Sequence, residues 1–192
     1  MDVVGVATSA ERPFRWSNER YLALVESGII PEGRGIELID GQMIEAMPQG
    51  KVHRFIFRAL QRAFGSMGGF EQGMEFNSTI VLPEGNVFDP EIIFVSPDAM
   101  DSEDLATGRQ VRFVVEVSVS SRATDLGSKK EAYAKSGIAT YWVVDGVRRG
   151  IWEFAEPVGG RYQSERFVPL SESIPIPLLG GSIDLSQLFP AG

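Results

Sequence analysis

The chain has 192 residues, 43% of them hydrophobic, enough for one domain with a real core, and this composition excludes a disordered or fibrous chain. It has no Cys, so disulfides, thiolate zinc sites and a Cys nucleophile are excluded; catalysis would need oxygen, nitrogen or metal chemistry, and the composition fits a reducing compartment. The 18 Lys and Arg against 26 Asp and Glu give a net charge of −8, which argues against a broad nonspecific nucleic-acid surface but leaves room for a local basic face.

The N-terminal segment MDVVGVATSAERP carries an acidic residue where a signal peptide has basic ones, its apolar run is short, and no later run reaches membrane-spanning length. We therefore expect a cytoplasmic protein without a membrane partner, organised as a tail over residues 1–14 and a single domain over 15–192. Ser17 to Glu26 predicts a short amphipathic helix with Ser17 as N-cap and Gly28 closing it, followed by the loop PEGRG. Two short strands, Ile36 to Ile39 and Gln42 to Glu45, flank Asp40-Gly41, whose tolerance of positive φ suits a two-residue hairpin. Lys51 to Ser66 predicts a helix with Val52, Ile56, Leu60 and Ala63 as its apolar stripe and Lys51, Arg54, Arg58 and Arg62 on another, solvated face.

Strands are expected around Met74 to Leu82 and Val87 to Val95, separated by the turn Pro83-Glu84-Gly85-Asn86, with the acidic SPDAMDSEDLATG following as a surface loop. A two-residue period along the second strand sets Asp89 and Glu91 on one face. Arg112 to Val119 reads as a buried strand with Phe113, Val115, Val117 and Val119 on one side and Val114, Glu116 and Ser118 on the other. A charge at Glu116 then lies among hydrophobes and needs a metal ion, a Lys or Arg partner, or a raised pKa. Asp125, Lys129 and Tyr133 stand at i, i+4 and i+8, so a continuous helix would align them on one face, whereas Ser128-Lys129-Lys130-Glu131 fits a capping box that would start the helix at Ser128 and leave Asp125 in the preceding loop; the helix ends at Gly137, and Ala139 to Val144 is a further strand. The remainder is β-rich, with strands at Ile151 to Phe154 and Tyr162 to Phe167, and the mixed order of elements indicates an α/β fold.

Taken together and in order, ELIDG at Glu37 to Gly41, His53, Pro90-Glu91, VVEV at Val114 to Val117, Asp125, Lys129, Tyr133 and GIATYWVVD at Gly137 to Asp145 resemble the Uma-two family of restriction-endonuclease-like proteins in the PD-(D/E)XK nuclease superfamily. The resemblance spans about Arg15 to Phe189. It implies a mixed central β-sheet flanked by helices, a β-rich N-terminal hairpin and C-terminal extension, and a divalent-metal phosphodiesterase site. Glu91, standing where the family usually has Asp, and Glu116 would be metal ligands, with the Val117 carbonyl as a third; the cation would be Mg²⁺ or Mn²⁺. The superfamily's usual strand Lys is replaced by Ser118, and the family resemblance supplies Lys129 from the following helix, while Glu37 and His53 would serve as additional ligands or hold a metal-bound water. Tyr141-Trp142 also matches the family but reads as core.

The expectation is thus a metal-dependent endonuclease acting on DNA, with Glu91, Glu116, Lys129, His53 and Glu37 in the site, as a homodimer because two strand cuts by a one-site protein are simplest with paired copies. A nuclease-fold binding or assembly module without catalysis is the alternative, favoured by net −8, Glu in place of Asp and the absent strand Lys.

Overall fold

A computed structural model describes residues 13–31 and 35–190. The expected tail over 1–14, apart from residues 13 and 14, and residues 32–34 of the PEGRG loop lie outside them. In chain order the elements are α1 (Asn18–Glu26), β1 (Ile36–Ile39), β2 (Gln42–Glu45), α2 (Lys51–Ser66), β3 (Met74–Phe76), β4 (Ile80–Leu82), β5 (Asn86–Phe88), β6 (Ile92–Val95), α3 (Pro97–Met100), β7 (Ala106–Thr107) and β8 (Val111–Ser118). There follow α4 (Arg122–Thr124), a π-helical turn over Asp125–Lys129, α5 (Lys130–Lys135), β9 (Thr140–Asp145), β10 (Gly150–Val158), β11 (Arg161–Pro169), β12 (Ser173–Pro175) and β13 (Ser182–Asp184).

The central sheet has six strands in the order β11-β10-β9-β8-β6-β3, and only β8 and β9 run parallel. Its middle strand β8 is Val-rich because both of its faces are covered. Phe113, Val115 and Val117 face a core shared with Ile56, Leu60 and Phe64 of α2, whereas Val114 faces a second core with Tyr133 of α5 and Tyr141 of β9. Tyr141 and Trp142 are both fully buried, as core residues should be. The result is a mixed sheet with helices on both faces.

A second, five-stranded sheet, β2-β1-β5-β4-β7, takes in the N-terminal hairpin, which therefore forms a sheet edge and not a separate appendage. The expected strands over Met74 to Leu82 and Val87 to Val95 are each divided between the two sheets, β3 and β6 in one, β4 and β5 in the other. The breaks fall at Asn77, which has a positive φ of 49°, and at Pro90, which has no N–H to give a ladder. Asp89 and Glu91 consequently do not share a strand face.

Two further expectations are corrected. The buried face of α2 is His53, Ile56, Ala59, Leu60 and Phe64, while Val52 is exposed, so the stripe is rotated and includes the histidine. The helix after β8 does not begin at Ser128: helical structure runs from Arg122 to Lys135, and a π turn carries Asp125 inside it. Gly127 supplies the non-helical residue of that turn, at φ −111° and ψ −106°. The acidic stretch after β6 is mostly exposed but holds the single turn α3 and the short β7. None of the described helices is long and apolar enough to cross a membrane.

Candidate functional site

The two sheets meet at a buried polar cluster built from Glu37, His53, Glu91, Glu116, Asp125, Lys129 and Tyr133. Each side chain comes from a different local cause. β1 pairs with β5 through Leu38 and Val87, which turns Glu37 toward the crossing between sheets, where its Oε1 accepts the Asp89 N–H at 2.9 Å. His53 lies in the first turn of α2, on the buried face. Glu91 sits just before β6, freed from the ladder by Pro90. Glu116 projects from β8 on the face opposite α2. Asp125, Lys129 and Tyr133 all point inward from the π turn and α5, with exposures of 2%, 6% and 0%.

Lys129 is the hub. Its Nζ donates to Glu37 Oε1 at 2.8 Å and to Glu116 Oε1 at 2.9 Å, and lies 5.4 Å from the centre of the Phe88 ring. Tyr133 donates to the same Glu116 oxygen at 2.8 Å. Glu91 is held by His53 Nε2 at 2.8 Å on one oxygen and by the Val117 N–H at 2.9 Å on the other. Glu91 and Glu116 also lie close enough to influence each other, a contact that raises the Glu116 carboxyl and lowers that of Glu91. All five expected side chains therefore come together, and Val117 joins them through its backbone.

The electrostatics follow from burial and crowding. Burial pushes the Glu116 carboxyl up to about 7, opposed by Lys129 and reinforced by Glu91. Burial likewise raises Glu91, against its hydrogen bonds from Glu116 and Val117. Asp125 is raised to about 6 by burial and by Glu116, despite the Ser121 hydroxyl 2.5 Å from its carboxylate. Burial alone would lower Lys129, but Glu116, Glu37 and Asp125 together carry its pKa above the ordinary value, so it stays an ammonium. His53 is lowered by burial and is neutral near pH 7; its Nδ1 is buried without a partner. Asp89 turns to the Thr79 hydroxyl at 2.6 Å instead of joining Glu91.

Glu116 thus has both the Lys partner and the raised pKa left open as alternatives to a metal. Among the described residues no three His, Asp or Glu side chains surround one metal position. The convergent oxygen donors are two crowded buried carboxyls, and such a pair calls for either a proton or a cation between them. Mg²⁺ is commonly held this way, by one or two carboxylates with water and phosphate oxygens completing its shell.

Asp125 and Tyr133 stand among the residues that carry the resemblance and at a spacing of four from Lys129, but the expected site gives neither a place, and the capping-box pattern argues against Asp125. Thr79 gave no signal at all, since its contact depends on how the two sheets pack.

No curated protein matches the chain. Among solved structures, that of a "putative nuclease belonging to DUF820" from Anabaena variabilis matches with a TM-score of 0.70 at 16% identity, covering 92% of this chain and 98% of that one, which establishes a shared fold. The Uma2 family model, described as "Putative restriction endonuclease", matches residues 19–186, and with the motifs in place around the buried cluster the chain belongs to the Uma2 family.

Proposed function

We propose that this chain is a metal-dependent endonuclease that hydrolyses DNA phosphodiester bonds. The observation that carries the reading is the meeting of Glu91 and Glu116, from separate elements, in one buried cluster beside a permanently charged lysine. Mg²⁺ or Mn²⁺ would be held by these two carboxylates and the Val117 carbonyl. The carbonyl is supported by strand geometry. Val117 gives its N–H to Glu91, and a strand residue directs N–H and C=O to the same side. Continuing the register past Ile92↔Val115 sets Pro90 opposite Val117, and a proline has no N–H to occupy that carbonyl.

When bound, the cation supplies Lewis-acid polarisation of the phosphate and a more acidic water. The protein's own groups do the rest. Lys129, charged at any neutral pH, cannot act as the base; it orients the attacking water and offsets charge developing on the phosphate. Glu37 holds that ammonium from the second sheet, Tyr133 holds the Glu116 carboxyl, and His53 fixes the rotamer of Glu91. Calorimetric titration of Mg²⁺ into wild type and Glu116→Gln, followed by cleavage assays on chelator-washed protein, tests the reading. Binding and cleavage by wild type alone are expected; equal cleavage by both would mark a contaminating nuclease and remove the assignment.

One observation favours a second reading, a nuclease-fold binding module without catalysis: Lys129 and His53 already satisfy both carboxylates within the protein. That reading predicts no Glu116-dependent metal binding. We further propose a cytoplasmic homodimer, since two strand cuts by a one-site protein call for two copies. Light scattering at micromolar concentration should give twice the chain mass, and a strictly monomeric mass overturns the dimer.

A further inference from the structure

Asp145, at the C-terminal end of β9, is fully buried and spends every lone pair on fixed donors. Its Oδ2 accepts from Arg122 Nε at 2.8 Å and from Trp152 Nε1 at 3.3 Å, and its Oδ1 from the N–H groups of Val147 at 3.1 Å and Arg148 at 2.8 Å. Burial would raise this carboxyl, but the bonds from Arg148, Arg122 and Trp152 bring it below the ordinary value, so it is ionised. One buried anion thus fixes the Arg122 guanidinium and the backbone turn that carries Arg148. The Arg122 side chain remains 42% exposed and, among the described residues, is held only through Nε, which leaves the outer edge of its fork to face solvent. Arg148 is exposed and lies over the rings of Trp152 at 5.1 Å and Phe167 at 4.5 Å, which limit its rotamers.

Register puts this pair beside the carboxylate cluster. Glu116 pairs with Val143 and Ser118 with Asp145; Val143 pairs with Trp152, and Trp152 with Phe167. Directly paired residues and their i±2 neighbours share a sheet face, so Glu116, Asp145, Trp152 and Phe167 all lie on the same one. Asp145 stands opposite the residue two places beyond Glu116, about 7 Å along the strand. The one acid of β11 on this face next to Phe167, Glu165, is itself paired with Lys130 at 3.4 Å.

We propose that Arg122, braced by Asp145, and Arg148, held over Trp152 and Phe167, are phosphate contacts for the DNA strand that crosses Glu91 and Glu116. The proposal rests on the nuclease reading for the identity of its partner. A braced guanidinium loses little freedom on meeting a phosphate, and a local basic pair is what a chain of net −8 needs to hold a polyanion in register. Arg149 is not part of the contact, since its guanidinium turns back to the Pro190 carbonyl at 2.9 Å.

The test measures binding of a short labelled DNA duplex by fluorescence anisotropy between about 50 and 200 mM salt, in the Glu116→Gln background so that nothing is cut. Arg122→Gln and Arg148→Gln should each weaken binding and lower the slope of log K against log salt by about 0.9, the value of one phosphate contact on duplex DNA. Arg166→Gln is the control, because Arg166 pairs with Glu153 on the opposite face. Unchanged slopes for both variants, an equal fall for the control, or no DNA binding at low salt overturns the proposal. Cleavage by wild type is scored separately. A nuclease whose slope ignores both arginines refutes the contact alone, while slopes that fall in a protein that never cuts refute only the hydrolysis.

Discussion

At the scale of single residues, the cluster is set by what a buried charge requires. Lys129 gives its ammonium to two carboxylates, so removing it leaves Glu37 and Glu116 facing each other without a cation. Breaking a buried ion pair from one side costs about 3–5 kcal/mol, more than removing both partners. Lys129→Met should therefore lower the denaturant midpoint sharply, and adding Glu37→Gln should restore part of the loss; strictly additive losses in the double variant would show that the two side chains are not coupled. In cleavage, Lys129→Met should slow the rate by a hundredfold or more, roughly 3 kcal/mol, while Mg²⁺ affinity measured by calorimetry changes little. Glu116→Gln should abolish Mg²⁺ binding and cleavage together, since it keeps the shape of the side chain and removes the charge that would hold the cation.

At the scale of elements, the site depends on a turn far from it in sequence. Glu37 is aimed by the hairpin β1–β2, whose tip Asp40-Gly41 has φ values of 48° and 73°. A Cβ on Gly41 would lie 2.9 Å from Arg15 Cβ and 3.1 Å from the Trp16 carbonyl, and its backbone conformation disfavours L side chains. Gly41→Ala should cost about 1–3 kcal/mol of stability and, by shifting β1 and with it the Glu37 carboxylate that holds Lys129, slow cleavage. A stability loss with unchanged cleavage would show that the hairpin does not aim Glu37. This hairpin was legible in the sequence because Asp-Gly between alternating strands is a local signal, and β8 was legible because a Val-rich run with one acid has few other meanings. The division of residues 74–95 between two sheets was not, since a β-rich run carries no mark of which sheet each half joins. The π turn was hidden for a similar reason: Ser128 to Glu131 satisfies a capping pattern locally, whereas the partners that draw Asp125 and Lys129 inward, Ser121 for the first and Glu37 and Glu116 for the second, are set by the tertiary fold. The resemblance identified Lys129 as the replacement for the strand lysine, while its role as a bridge between Glu37 and Glu116 appears only once the second sheet is folded against the first.

At the scale of the whole molecule, the cluster loads the fold with a pH-dependent cost. The Glu91 and Glu116 carboxyls are raised by burial, Glu116 to about 7, whereas an unfolded chain has an ordinary glutamate near 4.5. The folded state therefore binds more protons than the unfolded state between these values, so the contribution of the pair is fully present below about 4.5 and is lost as pH rises through about 7. Because each carboxyl shifts the other, the titration belongs to the pair and not to either residue. A shift of this size corresponds to at most about 3 kcal/mol. Wild type in chelator should lose stability relative to Glu116→Gln as pH is raised from 4.5 to 7, read as a converging or crossing pair of urea midpoints. Mg²⁺ should reverse the trend for wild type alone, because a cation held by the pair binds better as the carboxyls ionise and stabilises the folded state by mass action. Parallel midpoints for the two proteins across that range would show that the carboxyl pair does not couple to folding, and a Mg²⁺ effect equal in both would place the ion somewhere other than Glu116.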